Sequence, residues 1–389
     1  MNSENVKISG YARGSGAYGI RNHIIVMSSV SCVNNFVQKL AALDGNVIPV
    51  THPHGCDHIG DDRLQVLKTL RGICNNPNVG GVLLVGLGCE NVSVGEILAG
   101  INTEYKIVKK LGVQEIGDSK KIIDTGMQYL KEIKEFVSKQ KRVEFDISHL
   151  TVAVKCGGSD PFSGITANPT VGMVCDKVIG LGGTAILAEI PELIGAEELL
   201  AGRIKDSSLK EKLLQKTGRY VSIARSLGQD LLGANPTPGN IRSGITTIEE
   251  KSLGAAMKGG TTEIKEIVEY AETPKSKGLV IMDTPGNDIE CVTGLSAGGA
   301  NIVMFTTGLG TPVGNPVAPV IKIASNSITF NKMKTFIDIN AGEIQEGKPM
   351  PEVANDLFSF LVKTCNGEKT LAEKNEQYDF AINRLAPTF

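Results

Sequence analysis

Short apolar runs alternate with longer amphipathic segments along most of this 389-residue chain. Such alternation is typical of βαβ units, in which a helix returns the chain so that successive strands run parallel. The sequence therefore predicts an α/β fold of mostly parallel sheets flanked by helices, with the active-site crevice at the carboxyl ends of the strands. The segments that we interpret as strands are 23–29, 46–51, 81–86, 151–155, 184–189, 278–283, 301–306, 320–324 and 336–339.

Amphipathic segments with helical spacing of apolar residues fill the gaps between these runs. The predicted helices are 32–43, 57–73, 119–140, 192–200, 209–231, 249–257, 262–270, 351–364 and 371–384. The segment 119–142 is charged and has few apolar positions, and a new apolar strand follows Asp146. We therefore predict two domains, an N-terminal α/β domain over residues 1–145 and a C-terminal α/β catalytic domain over residues 146–389.

Composition excludes several classes of protein. The formal net charge of −2 provides no positive field for DNA or RNA, so nucleic-acid binding is not expected. No apolar run approaches the roughly 18 residues that cross a bilayer, and the N-terminus has no apolar leader, so we expect a cytoplasmic protein without membrane attachment. Eight scattered cysteines do not resemble a secreted disulfide framework, which favours reduced thiols and metal chemistry.

Side chains of metal-ligand type follow three of the predicted strands, namely His52, His54, Cys56 and His58 after the first, Cys89 and Glu90 after the second, and Cys156 after the third. If these strand ends converge, the thiols converge too. Imidazole and thiolate together suit zinc or iron. Three separated cysteines with one open coordination position would also suit an iron–sulfur cluster. The alternative is that the histidines cap the next helix or form hydrogen bonds in the core.

The loop that follows Cys156 is rich in glycine and hydroxyl groups and leads into a predicted helix. Its polar side chains are Ser159, Asp160, Ser163 and Asn168. Together with the N–H groups at the helix start, they are predicted to hold a carboxylate or the hydroxyls of a sugar. Simple turn chemistry is the alternative explanation of this composition.

Two carboxylates, Glu249 and Glu250, precede Lys251 at the start of another predicted helix. Acidic residues at this position are expected from the helix dipole alone. Lys251, close to other charges, nevertheless suits a base or an electrophile. Asp283 ends a further strand, and Lys322 lies in a strand that should run nearby.

The remaining cysteines and one glycine motif are weaker signals. Cys74, Cys175 and Cys365 lie in helix-like contexts and are interpreted as small buried hydrophobes. Cys32 stands at a strand–helix junction, and its role stays open. The glycine-rich segment 14–19 has dinucleotide-binding spacing but precedes a strand, so dinucleotide binding is not expected.

Several long motifs, taken in order, resemble the altronate/galactarate dehydratase family over residues from about 8 to the last 20. They are Gly10-Tyr-Ala-Arg13, Gly19-Ile-Arg21-Asn22, His54-Gly-Cys56, Gly86-Leu-Gly-Cys89-Glu90, Lys155-Cys-Gly-Gly-Ser-Asp160, Ser163-Gly-Ile-Thr-Ala-Asn-Pro169, Thr246-Thr-Ile-Glu-Glu-Lys251-Ser-Leu-Gly254, Met282-Asp-Thr-Pro-Gly286, Thr293-Gly, Phe305-Thr-Thr-Gly308 and Ile339-Asn-Ala-Gly342.

This resemblance implies a metal-dependent hydro-lyase that converts a sugar acid such as D-altronate to a 2-keto-3-deoxy acid. It implies dependence on Fe2+, mononuclear or in an iron–sulfur cluster, with Mn2+ sometimes supporting activity. The same family includes galactarate dehydratases and the large subunit of a (2R)-sulfolactate sulfo-lyase. Its single-chain members carry a small N-terminal domain before the first motif, so we expect a separate small subunit as partner and a homo-oligomer of large subunits.

Roles are assigned to the matching residues as a hypothesis. The metal ligands are taken to be Cys56, Cys89 and Cys156, with His52 and Glu90 as further candidates. The acid–base candidates are His54, Lys251, Glu249 and Glu250. Substrate binding is assigned to Arg13, Arg21, Asn22, Lys155, Ser159, Asp160, Ser163, Asn168, Asp283 and Lys322. Cys291, where a serine or small residue is expected, receives no metal role. The rival interpretation is a non-catalytic subunit that binds a sugar acid.

Overall fold

The computed structural model describes residues 6–14, 16–231 and 234–386, which form a three-stranded, a four-stranded and a seven-stranded sheet. The strands are β1 (Lys7–Ala12), β2 (Tyr18–Gly19), β3 (His23–Ser28), β4 (Ile48–Val50), β5 (Val79–Gly86), β6 (Ile107–Gly112), β7 (Val143–Asp146), β8 (Thr151–Cys156), β9 (Thr184–Leu187), β10 (Ile264–Val268), β11 (Gly278–Met282), β12 (Ile302–Thr307), β13 (Val320–Ala324) and β14 (Ile339–Asn340).

Helices connect most of these strands. They are α1 (Asn34–Asp44), α2 (Gly60–Asn75), α3 (Val94–Ala99), α4 (Val113–Ile116), α5 (Ser119–Val137), α6 (Ala167–Gly180), α7 (Glu197–Ala201), α8 (Ser207–Ser226), α9 (Pro238–Arg242), α10 (Ile248–Ala256), α11 (Asp288–Ala297), α12 (Ser327–Lys332), α13 (Met350–Cys365) and α14 (Leu371–Lys374). Short 3-10 helices span Ser31–Val33, Ile147–His149, Pro161–Gly164, Ile190–Leu193, Met257–Gly259 and Ala341–Ile344. Within these residues no helix is both long and apolar enough to cross a membrane.

The four-stranded sheet has the order β4-β3-β5-β6, and each neighbouring pair is parallel. Alternate residues of β3 and β5 point to opposite faces, as the strand period of two requires. Helices α1 and α5 cover the face that carries Val26 and Leu83. Helix α2 covers the face that carries Ile25 and Leu84. Both faces are therefore buried, which explains why the strands are almost entirely apolar.

The seven-stranded sheet has the order β10-β11-β9-β8-β12-β13-β14 and is also parallel throughout. Helices α6 and α13 pack against the face that carries Val152 and Val154. Helix α11 packs against the opposite face, where Ala153 lies. The predicted α/β class with mostly parallel sheets is confirmed.

Antiparallel pairing is confined to the small third sheet, in which β1 pairs with β2 and β7. The glycine-rich segment 14–19 lies at the turn of the β1–β2 hairpin, where the N–H of Arg13 donates to the carbonyl of Ala17 at 2.9 Å. Ser15 lies outside the described residues. The dinucleotide-type spacing therefore belongs to a hairpin turn.

Two helix predictions are wrong. Residues 262–270 were predicted as a helix because apolar residues recur there at helical spacing, but Ile264–Val268 form strand β10 at the edge of the large sheet. Pairing with β11 overrides this local pattern, because a segment of nine residues is too short for apolar spacing alone to distinguish helix from strand. The helix predicted over 371–384 ends at Lys374. Residues 375–386 form no helix or strand, and Tyr378, Phe380 and Ile382 pack against the core beside α2.

The two parallel sheets are joined through α2 and α11, which pack against each other. Gly72 of α2 lies so close to α11 that a Cβ there would stand 2.3 Å from the carbonyl oxygen of Ala297. Two asparagines after α2 reinforce the contact, since the amide of Asn76 donates to the carbonyl of Ser296 and that of Asn78 donates to the carbonyl of Asn301, each at 2.8 Å. The two sheets are therefore joined by close packing and by hydrogen bonds.

Candidate active site

A cluster of buried charges lies at the carboxyl ends of β8 and β9. Lys155, Glu189 and Lys258 have no exposed side-chain surface. The Nζ of Lys155 donates to Glu189 Oε1 at 2.9 Å, and the Nζ of Lys258 donates to Glu189 Oε2 at 2.8 Å. Asp288, at the start of α11 and partly exposed, also pairs with Lys155. Two lysines thus face two carboxylates, so the cluster is close to neutral.

Electrostatics keep Glu189 and Lys258 ionised despite their burial. Burial alone would raise the pKa of Glu189, but Lys155 and Lys258 outweigh it and lower that pKa to about 2. Burial alone would lower the pKa of Lys258, but Cys156 and Glu189 outweigh it and raise that pKa above its ordinary value. Glu189 also has φ of +71°, which is uncommon for a residue other than glycine and recurs at functional sites. We call Lys155, Glu189, Lys258 and Asp288 the lysine cluster.

Cys156 forms hydrogen bonds with two members of the lysine cluster. Its Sγ accepts a hydrogen bond from Lys258 at 2.7 Å, and its backbone N–H donates to Glu189 Oε2 at 2.9 Å. Burial, with a contribution from Glu189, raises the pKa of the thiol to about 11. Within the described residues, no group of three or more histidine, cysteine, aspartate or glutamate side chains is arranged to hold a metal ion. The predicted set of Cys56, Cys89 and Cys156 is therefore not assembled as one metal site.

A second buried ion pair lies beside this cluster. Lys251, in α10, donates through Nζ to Glu192 Oε1 at 2.7 Å and to Asn235 Oδ1 at 2.6 Å. Glu192 Oε2 is buried and has no hydrogen-bond partner in the described part of the protein. An acceptor of this kind is available to a ligand. A cavity of about 570 Å³ that Asn235 and Glu249 line opens beside the pair.

The loop after Cys156 is held by hydrogen bonds within the protein. Asp160 accepts hydrogen bonds from Ser163 Oγ at 2.7 Å and from Ser325 Oγ at 2.6 Å. Ser159 Oγ donates to the carbonyl of Gly157 at 3.1 Å. Asn168 donates to the carbonyl of Gly254 at 2.9 Å. Ser159, Asp160, Ser163 and Asn168 also line a narrow groove that Lys251 reaches. Their contacts shape this groove, whether or not a ligand occupies it.

The two glutamates before Lys251 are exposed. Glu250 accepts hydrogen bonds from the N–H of Thr246 at 2.8 Å and from Thr246 Oγ1 at 2.6 Å, and these contacts lower its pKa. The N–H of Glu250 donates to Thr247 Oγ1, the N-cap side chain of α10, at 3.1 Å. Glu250 therefore stabilises the start of α10, while Glu249 lines the adjoining cavity.

The histidine-rich segment lies at the carboxyl end of the four-stranded sheet. His52 Nε2 is 2.8 Å from the carbonyl oxygen of Ser28, and His58 Nδ1 is 3.0 Å from Asp62 Oδ2. All three histidine side chains are buried, and His54 Nδ1 and His58 Nε2 have no partner among the described residues. Burial lowers the pKa of both His52 and His54 to about 4. The rings of His52 and His54 are therefore neutral at neutral pH.

Cys56 and Cys89 lie on neighbouring loops at this same edge, where Cys56 is half-buried and Cys89 is exposed. Burial raises the pKa of Cys56, and the charges of Asp57 and Cys89 act in the same direction. Glu90 accepts hydrogen bonds from Ser29 Oγ at 2.8 Å and from the N–H of Gly88 at 2.5 Å. The carboxylate of Glu90 thus fastens the loop that carries Cys89 to the end of β3.

Arg13, Arg21 and Asn22 lie before β3, at the amino end of that strand. Arg13 donates to the carbonyl of Pro77 at 2.8 Å and to Asn22 Oδ1 at 2.7 Å, and burial lowers its pKa to about 10. Arg21 donates to both carboxylate oxygens of Glu373, at 2.6 and 2.9 Å. The structure therefore does not bring these three residues to the crevice at the carboxyl ends of the strands. In a parallel sheet the amino ends of the strands lie at the opposite edge from the carboxyl ends.

The last two predicted substrate-binding residues are also engaged. Lys322 is fully buried in β13 and donates to the carbonyl of Pro312 and to Gln377 Oε1, both at 2.8 Å. Burial lowers its pKa to about 8. Asp283 pairs with Lys216 at 3.0 Å and lines a cavity of about 330 Å³ between α2 and the ends of β10 and β11.

Sequence reasoning missed Glu189, Glu192 and Lys258. Glu189 ends a predicted strand, so its position gave a signal that a search for carboxylates at strand ends could have used. Lys258 follows a helix in an ordinary context, and only the fold shows that it is fully buried. A buried charge without a nearby partner in sequence implies a partner from elsewhere in the chain.

Replacement of His52 tests whether the histidine-rich segment after β4 is buried. The pKa of His52 is about 4 in the folded protein and near 6.5 in the unfolded chain. The contribution of the neutral ring to the free energy of unfolding is therefore fully present above pH 6.5 and is lost as the pH falls towards 4. Between pH 7 and pH 5 this costs about 2 kcal/mol of the free energy of unfolding. His52→Gln should flatten the pH dependence of urea unfolding by that amount. Parallel curves for wild type and His52→Gln would contradict the assignment.

Two family models match this chain. The second domain of D-galactarate dehydratase/altronate hydrolase matches residues 10–138, and the C-terminal domain of D-galactarate/altronate dehydratase matches residues 147–388. This chain belongs to the galactarate/altronate dehydratase family. The resemblance seen in the motifs is thereby confirmed. Dehydratases are carbon–oxygen lyases, so the chain is an enzyme of that class.

Individual relatives align along nearly the whole chain. Altronate dehydratase of Escherichia coli (strain K12) is 36% identical, and the alignment covers 97% of this chain and 78% of that protein. Galactarate dehydratase (L-threo-forming) of the same organism is 32% identical over 94% of this chain and 74% of its own length. The (2R)-sulfolactate sulfo-lyase subunit beta of Chromohalobacter salexigens is 35% identical, with 97% of both chains covered.

Proposed function

We propose that this chain is the large subunit of a hydro-lyase that removes water from a sugar acid, D-altronate, and releases a 2-keto-3-deoxy acid. The observation that carries the proposal is the alignment with two altronate dehydratases, at 36% and 35% identity, over 97% and 99% of the chain. Galactarate is the alternative substrate because its dehydratase aligns over 94% of the chain.

Loss of a hydroxyl next to a carbon that bears a carboxylate requires a base for the α proton and an acid for the departing oxygen. The pair of Lys251 and Glu192 is our candidate for this work. Among the described residues Glu192 Oε2 has no hydrogen-bond partner, and Lys251 holds the other oxygen at 2.7 Å. His54 is the second candidate, because its neutral ring can accept a proton at Nδ1, which has no partner in that same part of the chain.

Ferrous iron, with manganese as a possible substitute, is part of the proposal. The ligand set that includes Cys156 does not fit, because Lys258 occupies that sulfur and the thiol is buried. We propose instead that the thiols of Cys56 and Cys89, on neighbouring loops at the edge of the four-stranded sheet, would hold the metal. Bound iron would supply a Lewis acid for the departing hydroxyl.

A second candidate function is elimination of sulfite from (2R)-sulfolactate. It is favoured by the alignment with the subunit beta of that sulfo-lyase, which extends over 97% of both chains. The same alignment supports our proposal that a separate small subunit joins this chain and completes the site. Association of the large subunits into a homo-oligomer is part of the same proposal.

The chain, loaded anaerobically with ferrous iron, should be assayed alone and with its small subunit on D-altronate, galactarate and (2R)-sulfolactate. We expect a 2-keto-3-deoxy acid from altronate. Release of sulfite from sulfolactate would support the second candidate instead. Binding of a sugar acid without turnover in every mixture would overturn both and leave a non-catalytic binding subunit.

In the same assay, Glu192→Gln and Lys251→Ala should each lower kcat by about 10²–10⁴-fold, the range for loss of a general acid or base. The matched control is Lys205→Ala, since Lys205 forms an exposed pair with Glu263 at 2.9 Å and should leave kcat unchanged. The Tm of each variant separates loss of chemistry from loss of the fold. Wild-type kcat in both variants would show that the acid and base lie elsewhere.

A further inference from the structure

Lys258 and Cys156 meet in an unusually close contact. The Nζ of Lys258 lies 2.7 Å from Cys156 Sγ. Sulfur is a larger atom than oxygen, so a hydrogen bond to sulfur is ordinarily longer than the N–H···O contacts of a protein. Elsewhere in the described chain, Gln114 Nε2 lies 3.6 Å from Cys89 Sγ, as expected for such a bond. The contact between Lys258 and Cys156 is therefore closer than a hydrogen bond alone explains.

Glu189 holds both partners of this contact in place. Its Oε2 accepts from the Nζ of Lys258 at 2.8 Å and from the backbone N–H of Cys156 at 2.9 Å. Its Oε1 accepts from Lys155 at 2.9 Å, and its own N–H donates to Thr284 Oγ1 at 2.8 Å. Both Lys258 and Cys156 are buried, so their side chains are confined to this contact. Two groups held together in this way react as parts of one molecule, without the cost of finding each other.

We infer that Cys156 and Lys258 form an oxidative cross-link in which one oxygen atom joins Sγ to Nζ. An oxygen with single bonds to both atoms keeps sulfur and nitrogen close to the observed separation, whereas a direct S–N bond requires a much shorter one. The oxidant that we assign is hydrogen peroxide, which converts a thiol to a sulfenic acid. The cross-link lies outside the proposed acid–base pair of Lys251 and Glu192, so the inference goes beyond the proposed hydro-lyase.

The reaction uses two molecules of peroxide. One converts the thiol of Cys156 to a sulfenic acid and is reduced to water. The other converts the amine of Lys258, after loss of its proton to solvent, to a hydroxylamine and is also reduced to water. The sulfenic acid and the hydroxylamine then condense, so that the S–O–N bridge forms and a third water leaves. Sulfur and nitrogen each give up two electrons, which the two peroxides accept.

Burial determines both the rate and the consequence of this reaction. The pKa of the Cys156 thiol is raised to about 11, so little thiolate is present at neutral pH. Oxidation is therefore slower than at the exposed Cys32 and Cys89. In the cross-link the bridging nitrogen is a weak base and carries no charge, so Glu189 keeps Lys155 as its counter-ion but loses the second one. The modification thus removes one positive charge from the lysine cluster.

The test is to treat the folded protein with hydrogen peroxide, block the remaining thiols and map the tryptic peptides by mass spectrometry. Trypsin cuts after Lys155 and Lys251, so the expected product joins peptides 156–177 and 252–265. Its mass should exceed the sum of the two peptides by about 14 Da, because one oxygen is gained and two hydrogens are lost. Dithiothreitol should return both unmodified peptides. Cys156→Ser should give no cross-link, and circular dichroism before and after treatment checks that the fold is kept.

A second lysine–cysteine pair provides the matched control within the same protein. Lys106 is also buried, but its Nζ donates to the backbone carbonyl of Cys74, at 2.6 Å. We expect no cross-link between Lys106 and Cys74 under the same treatment. Joined peptides that are lighter than their sum by about 2 Da would reveal a direct S–N bond and overturn the oxygen bridge. No joined peptides at any peroxide concentration that leaves the protein folded, or a disulfide between Cys156 and Cys291 instead, would overturn the inference.

Discussion

Replacement of Lys258 with methionine is expected to lower the free energy of unfolding by about 3–5 kcal/mol, the usual cost of breaking a buried ion pair from one side. The fully buried Glu189 would keep Lys155 as its counter-ion but lose the donor 2.8 Å from Oε2. Cys156 would lose the hydrogen bond to its sulfur at the same time. Urea unfolding, followed by circular dichroism, measures the loss.

Two further variants define the cause of this effect. The exposed Lys7 pairs with Glu144 at 3.0 Å, so Lys7→Met removes a lysine of the same kind at a cost below about 1 kcal/mol. The double variant Lys258→Met with Glu189→Leu removes the uncompensated charge and should recover part of the loss. If Lys258→Met unfolds at the wild-type urea concentration, Lys258 is not paired with Glu189 in the folded protein.

The central strands were predictable because both of their faces are buried. Strand β13 has the predicted bounds, and β5 and β8 differ from the predicted segments by one or two residues. Strand β6 (Ile107–Gly112) lies at the sheet edge and contains two lysines, so it lacks a continuous apolar run. Strand β10 has the spacing of a helix, and its pairing with β11 decides its conformation. Local pattern thus identifies the centre of each sheet better than its edge.

In the candidate site, too, some residues could be predicted from the sequence and others could not. Sequence motifs drew attention to Lys155, Cys156 and Lys251, and the structure places all three in buried polar clusters. Their partners Glu189 and Lys258 come from segments without a motif. The predicted grouping of Cys56, Cys89 and Cys156 failed because Cys156 ends a strand of the seven-stranded sheet, whereas the other two follow strands of the four-stranded sheet. The sheet that a strand joins is decided by tertiary packing and cannot be read from the spacing of cysteines along the chain.

At Arg21 a structural role can be tested against the predicted role in binding substrate. Its guanidinium donates to both oxygens of Glu373, to the carbonyl of Thr364 at 2.8 Å and to that of Glu368 at 2.8 Å. These contacts fasten the chain after α13 to the amino end of β3. Because lysine cannot reproduce the bidentate geometry, even the conservative Arg21→Lys should lose stability.

We expect Arg21→Ala to lower the free energy of unfolding by about 3–5 kcal/mol, since Glu373, with only 10% of its side chain exposed, would be left without its counter-ion. The KM of the folded variant should stay at the wild-type value, because Arg21 lies at the strand end opposite the crevice. Arg63 is the matched control: it forms a partly exposed pair with Glu96, and Arg63→Ala should cost no more than about 1 kcal/mol. A raised KM in Arg21→Lys with unchanged urea unfolding would restore the substrate-binding role. The joint measurement of KM and stability thus decides between a residue that holds the fold and one that holds the ligand.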